Sequence, residues 1–312
     1  VSFVASAPGK VMLTGEYAVL DGGEAVVIAI DRRARAVLGA PTVPSEFLAA
    51  AAAVLLRESG PAAAAAIGAL HVDTAALRHD GVKLGLGSSA AATVAAVAAA
   101  LHSIDAFEPA RVETIARIAH AEAQARRGAA GSGADIAASA RGGAIGFARH
   151  RTRALTLPIE LELRFAWTRA AADTATLVAA VTDARHATGV RAALAAIAYA
   201  SAALAAATTA IEAVEAFARA AAATTALAAA TGVALVPAAI VALQASLADL
   251  GAIAKTTGAG GGDIVVVASA GDVDPAAIDR RLVRAGLVPL TLAVDATGVD
   301  IVSDAAKGAR SP

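Results

Sequence analysis

The stretch Gly85-Leu86-Gly87-Ser88-Ser89-Ala90-Ala91 constrains this chain more than any other. It runs directly into an Ala/Val segment whose composition predicts a helix over 90–101. Two glycines let the backbone approach a ligand closely, and two serines suit a helix cap. The unpaired N–H groups of the first turn, at the positive end of the helix dipole, then form an anion site that suits phosphate. Taken alone, the stretch describes an ordinary Ser-capped helix after a glycine turn equally well.

Composition narrows the classes that remain. A chain of 312 residues holds one large domain or two ordinary ones and can bury a substantial core. The absence of cysteine removes disulfides, thiolate nucleophiles and Cys-ligated metals, and is in keeping with a cytoplasmic enzyme. The six histidines are scattered, without the spacing of a zinc site. With a net charge of −1 there is no field to attract nucleic acid or an anionic membrane, so any phosphate must be held locally. A hydrophobic content of 57% and a mean hydropathy of +0.64 invite a membrane reading. The excess is mostly alanine, the 84–101 run is interrupted by Gly-Ser-Ser, and no basic segment of a signal peptide opens the sequence, so no membrane association is expected. Aromatic residues make up 3%, so the core must consist of small aliphatic side chains in close helix contact.

Along the chain, the opening is β-rich. Strands are expected over 1–7, 11–14, 25–30 and 34–38, with a turn at Pro8-Gly9, a hairpin turn at Asp21-Gly22-Gly23 and a break at Asp31-Arg32-Arg33. A helix is expected over 45–59 with Ser45 as its cap, and another over 109–127 with proline near its start. Between them Leu70–Asp73 reads as a short strand. A second Gly-rich stretch, Gly128 to Gly133, precedes Asp135 in the first turn of a short helix, and Gly142 to Ala148 reads as a strand. A domain boundary is placed near 150–158. The remainder reads as a strand over 161–168, Ala-rich helices over 173–251 broken at 188–189 and 231–232, and a third Gly-rich stretch, Lys255 to Asp263. A strand over 264–268, a helix over 275–286 and a last strand over 288–294 complete it.

Neither a Walker A pattern nor G-x-G-x-x-G is present, which removes the P-loop and dinucleotide-binding readings. Pro8-Gly9-Lys10, Gly85 to Ala91 and Lys255 to Gly262 instead resemble, in that order and at similar separations, the three motifs of the GHMP small-molecule kinases. The resemblance spans nearly the whole chain. Gly131-Ser132-Gly133-Ala134-Asp135, Asp263 after Gly262, and Tyr17 within Gly15-Glu16-Tyr17 are most similar to the phosphomevalonate kinase branch, with the mevalonate kinases second.

The resemblance implies an α+β, two-domain GHMP kinase fold: a ribosomal-protein-S5-like, ATP-binding domain over 1–155 and a ferredoxin-like α/β sandwich on the substrate side over 156–304; residues 305–312 read as a frayed tail. The resemblance also implies ATP and Mg2+ as cofactors and a small-molecule acceptor, 5-phosphomevalonate before mevalonate or another alcohol. A catalytically silent binding protein on the same fold is the rival from another class. By family position, Gly85, Leu86, Gly87, Ser88, Ser89 and Ala90 cradle the nucleotide phosphates, and Ser89 with Glu122 holds the metal. Lys10 and Asp135 form the catalytic pair, while Glu16, Tyr17, Ser132, Gly258, Ala259 and Gly260 meet the acceptor. Lys83, Arg141, Arg185, His186 and Arg191 are the cations from which an acceptor phosphate could draw, and the sequence does not choose among them. The Ala-rich helices of the second half could support a homodimer.

Overall fold

The computed structural model describes residues 3–303 apart from 40, 42, 44, 129, 130 and 272, so the expected tail over 305–312 lies outside the described residues. In chain order the elements are β1 (Phe3–Thr14), β2 (Ala25–Leu38), α1 (Glu46–Ser59), α2 (Pro61–Ile67), β3 (Leu70–Asp73), β4 (Arg78–His79), β5 (Val82–Lys83), α3 (Ser88–His102), α4 (Pro109–Arg126) and α5 (Ala134–Arg141). There follow β6 (Ala144–Ala148), β7 (Arg151–Leu155), β8 (Leu161–Trp167), α6 (Thr174–Asp183), α7 (Thr188–Ala206), α8 (Ala210–Thr231), α9 (Ala238–Leu247), β9 (Ile253–Thr256), β10 (Ile264–Ala270), α10 (Pro275–Arg284), β11 (Val288–Leu290) and β12 (Asp300–Ser303).

Two expected breaks are absent. β1 runs straight through Pro8-Gly9; among the described residues β12 pairs with it over Phe3–Ser6, before the proline that could not donate to a ladder. Past that proline the Lys10 N–H donates to the Leu86 carbonyl at 2.9 Å. Gly9 therefore marks a close approach and not a turn: a Cβ on it would sit 2.7 Å from the Leu86 carbonyl oxygen and 3.2 Å from that of Arg32. β2 likewise continues through its charged patch, since Asp31 is exposed and Arg33 is consumed by hydrogen bonds. The helical region breaks at Gly232, a left-handed C-cap, as expected, whereas Thr188 opens α7 instead of interrupting a helix. The break before α8 carries a capping box between Thr209 and Glu212, a readable signal that the sequence reading passed over.

The chain forms two compact units, and they are not the contiguous blocks expected from sequence. The first takes residues 1–10, 29–143 and 294–312, and the second takes 11–28 and 144–293. The dividing points fall inside β1 and β2, so a cut near 155 could not have found them.

In the first unit β1 neighbours β2, β3 pairs antiparallel with the C-terminal half of β2, and β12 pairs antiparallel with β1 in the register Phe3↔Ser303 to Ser6↔Asp300. Helix α3 is packed by α1, α2, α4 and α5 as well as by β3 and β12. Its alanines are small enough to let those neighbours approach closely, as the poverty in aromatics predicted. The returning segment before β12 interlocks with the end of α5: Val299 N–H donates to Ala140 O at 3.0 Å and Gly143 N–H to Asp295 O at 2.7 Å. Arg33 fastens the same segment, donating to Asp295, to Thr297 O at 3.0 Å and to Gly298 O at 2.6 Å.

In the second unit β6 and β7 form a hairpin that extends from the N-terminal half of β2. The other sheet has four antiparallel strands in the order β11-β8-β10-β9. In chain order that is 4-1-3-2, the β-α-β-β-α-β arrangement of a ferredoxin-like sandwich, with four helices in the first crossover. Helix α8 lies on β8, β9 and β10, and α7 packs along α8. Helix α7 is long and apolar enough to cross a membrane by composition, but Val190, Leu194, Ile197 and Leu204 on one face are buried inside the unit.

Gly142 packs closely against the segment that leads into β12. Its φ is +73°, and a Cβ there would stand 2.5 Å from the Gly298 nitrogen. Gly142→Ala should therefore cost about 3 kcal/mol, read as a lowered urea midpoint; a midpoint equal to that of the unsubstituted protein would show that β12 can move away.

Candidate active site

The first unit holds the Gly-rich loop, Lys10 and Asp135. Gly85 and Gly87 adopt left-handed backbone with φ of +76° and +74°. Gly87 is the N-cap of α3 and no side chain caps that helix. Ser88, Ser89 and Ala90 thus present the first N–H groups of a fifteen-residue helix at its positive end. Leu86 is buried and anchors the loop. A Cβ on Gly87 would lie 2.8 Å from Cγ and 3.1 Å from Cε of Lys10, so the missing side chain is what lets the lysine stem lie across the loop. Together they form a cradle of backbone donors with one cation laid over it.

Behind the loop, Ser89 Oγ is 3.2 Å from His120 Nε2, and that nitrogen is 3.9 Å from Asp135 Oδ2. Asp135 sits in the first turn of α5, where Gly133 is a left-handed N-cap. Its other oxygen accepts from the Ile136 N–H at 2.9 Å, and Ser132 Oγ accepts from the Ala134 N–H at 3.2 Å. Lys10 thus meets the loop at Gly87, while Asp135 meets it through His120 at Ser89, two residues further on.

Glu122 is not the α4 side chain that Ser89 contacts. Its carboxylate is paired with Arg57 at 2.5 Å and lies 3.7 Å from Arg126. Residues two apart on a helix lie on nearly opposite sides, so with His120 turned to Ser89, Glu122 is turned away. A single histidine carries no spacing, so nothing in the sequence marks His120. Among the described residues no cluster of three acidic or imidazole groups could hold a metal. The oxygen donors around the loop, Ser89 Oγ and the Asp135 carboxylate, fit a magnesium ion that takes most of its ligands from nucleotide phosphates and water.

Two of the expected phosphate-binding cations are occupied: Arg141 pairs with Glu113 at 2.7 Å, and Arg185 pairs with Asp21. Lys83, His186 and Arg191 are exposed.

The second unit holds Glu16, Tyr17 and the third Gly-rich stretch, joined by two clamps. Lys255, which the sequence reading left without a role, forms an ion pair with Glu16, and the two side chains are 1% and 3% exposed. The ammonium also donates to Thr256 O at 2.6 Å. Tyr17, at a φ of +59°, donates its hydroxyl to Ala259 O at 2.5 Å. Gly260 and Gly261 have positive φ, and a Cβ on Gly260 would meet Leu235 O at 2.4 Å, so this stretch closes tightly on its own unit.

Truncating one partner of a buried pair strands the other charge. Lys255→Met should therefore cost about 3–5 kcal/mol, and adding Glu16→Gln should return part of that loss, as urea denaturation of the single and double variants would measure. Burial, and after it the neighbouring Glu16 charge, pushes the Tyr17 hydroxyl well above its ordinary 10.0. The folded protein keeps a proton that the unfolded chain loses, so this contribution is whole below pH 10.0 and is lost above it. Stability should fall less steeply in Tyr17→Phe than in the unsubstituted protein when followed from about pH 9 to 11.

Comparison with known proteins bears on this geometry. Residues 46–143 match the family model for the GHMP kinases N terminal domain. No curated protein sequence matches the chain. Among solved structures, the Lin0012 protein of Listeria innocua shares 20% identity with a TM-score of 0.83, over 97% of this chain and 100% of that one. The phosphomevalonate kinase of Streptococcus pneumoniae, solved with phosphomevalonate and AMPPNP, shares 18% identity with a TM-score of 0.75, over 93% of this chain and 99% of the other. The mevalonate kinase of Methanococcus jannaschii shares 15% identity with a TM-score of 0.72, over 93% and 98%. The matched segment, under a third of the chain, contains the loop, α3, α4 and Asp135, and the likeness to these solved structures over nearly the whole chain gives it the GHMP kinase fold.

Proposed function

We propose that this chain is a cytoplasmic, ATP-dependent phosphotransferase whose acceptor is 5-phosphomevalonate. The observation that carries the reading is the uncapped N-terminus of α3 with Lys10 laid across Gly87. Phosphoryl transfer asks a protein for charge neutralisation and in-line placement more than for covalent chemistry. The N–H groups of Ser88, Ser89 and Ala90 bind phosphate oxygens, and Lys10 neutralises charge that grows on the transferred group. Bound Mg2+ supplies further neutralisation of the nucleotide phosphates, with Ser89 and Asp135 as the side chains that would hold it.

Support for the phosphorylated acceptor comes from the Gly131–Asp135 segment and from the likeness to a phosphomevalonate kinase solved with phosphomevalonate. Such an acceptor oxygen is already anionic and needs no base. Asp135 then orients Lys10 and its surroundings, and Ser132 offers a hydroxyl to the acceptor. Glu16 and Tyr17 serve the acceptor indirectly: with their polar atoms engaged by Lys255 and Ala259, they hold Gly258, Ala259 and Gly260 in shape.

A coupled ADP-release assay with Mg-ATP, offering 5-phosphomevalonate and mevalonate separately, tests the reading. Turnover with the phosphorylated acceptor is expected. Turnover with mevalonate alone would make the acceptor an alcohol and restore Asp135 as a base, and absence of both transfer and ATP binding would favour a binding protein. With the phosphorylated acceptor, Lys10→Ala should lose about 10²–10³-fold in kcat and Asp135→Asn distinctly less; an equal or reversed order would refute the base-free mechanism.

A further inference from the structure

His120 belongs to none of the motifs, yet it lies against two of their residues. The residue is 2% exposed, and its Nε2 is 3.2 Å from Ser89 Oγ and 3.9 Å from Asp135 Oδ2. The ring orientation is set from outside the loop. Phe47 of α1 stacks on it with centroids 4.7 Å apart and planes 24° apart, and the Arg127 guanidinium lies 5.7 Å from the Phe47 centroid.

We propose that His120 is a positioning residue that donates its Nε2–H to Ser89 Oγ and thereby aims the Ser89 hydroxyl at the bound nucleotide. The proposal rests on the kinase reading above. A neutral imidazole has one N–H and one lone pair, and the surroundings decide which nitrogen carries which. A lone pair on Nε2 would face the Asp135 carboxylate, which is unfavourable, whereas an N–H there is attracted to it. The Nε2–H form therefore prevails, and Ser89 Oγ is the atom within hydrogen-bond reach. Once that oxygen accepts from the histidine, its own O–H must find an acceptor elsewhere. The Ser89 backbone carbonyl is already taken by Thr93 Oγ1 at 2.8 Å. The hydroxyl is then free to donate to an anion at the mouth of the helix. Without His120 the Ser89 side chain is a free rotor, and the carboxylate of Asp135 loses the dipole that faces it.

Two variants and one spectrum test this. His120→Phe keeps a flat ring for Phe47 to stack on but removes the donor, and His120→Gln places an amide N–H near the position of Nε2. Long-range proton–nitrogen NMR of the free protein should show one imidazole in the Nε2–H form that disappears in His120→Phe. In the transfer assay His120→Phe should lose about tenfold or more in kcat with the thermal midpoint little changed, and His120→Gln should recover to within about threefold. A kcat for His120→Phe equal to the unsubstituted value, a glutamine variant no better than phenylalanine, or an Nδ1–H tautomer would each overturn the proposal. Should His120→Phe fail to fold, the glutamine variant and the tautomer still decide it. No turnover in the unsubstituted protein would overturn the kinase reading instead, and the tautomer would then judge the hydrogen bond alone.

Discussion

From Val94 to Leu101 every residue of α3 has 0% exposure, and four helices and two strands close around it. A helix surrounded in this way has no free face along which to slide. Alanine makes that possible, because its side chain lets neighbouring backbones approach while costing the least in helical entropy. The result is a fixed origin for the loop that precedes the helix. The donors of its first turn are held in place by the core instead of by a cap, and the Lys10 stem lies across the loop because Gly87 leaves room for it. Rigidity at one end of α3 is thus what permits openness at the other, where no side chain caps the first turn.

The second unit solves a different problem. Its third Gly-rich stretch has several residues at positive φ and would be costly to hold still by backbone alone. The Lys255–Glu16 pair and the Tyr17–Ala259 hydrogen bond tie it to the segment that follows β1. A buried ion pair adds little net stability over an apolar core but tolerates only one arrangement of its partners. Here it serves register: β9 cannot shift by one residue without burying a lone ammonium.

How much of this was legible in the sequence varied with how local the cause was. The loop, its helix, the Asp135 turn and the succession of strands and helices in the second unit follow from glycine, alanine and strand signals within short windows, whereas the 4-1-3-2 strand order does not, because pairing is set by partners distant in sequence. Pro8-Gly9 was misread as a turn because the reason for Gly9 is the Leu86 carbonyl, nearly eighty residues away. His120 and Lys255 were passed over for the same reason, since each acquires meaning only from a distant partner. Strand β12 carries a weak signal of its own, four residues that pair with the start of the chain, and the final strand expected over 288–294 is shorter, ending at Leu290 apart from a bridge at Val294. The interleaved units are the largest departure, because composition changes nowhere near the crossing points in β1 and β2.

That interleaving bears on how the protein comes into being at the ribosome. The sheet of the first unit is completed by β12, and Arg33 and Gly142 hold the segment that delivers it. When residues 1–143 have emerged, most of that unit's sequence is present, but the edge of β1 that β12 will cover is bare and the end of α5 lacks the segment that bonds to it. The nascent chain must carry this open edge while about 150 further residues are synthesised, a wait of roughly ten to thirty seconds at ordinary elongation rates. The first unit to appear is thus the last to be finished, and protection of its open strand, by chaperones or by the speed of translation itself, becomes part of what the sequence requires.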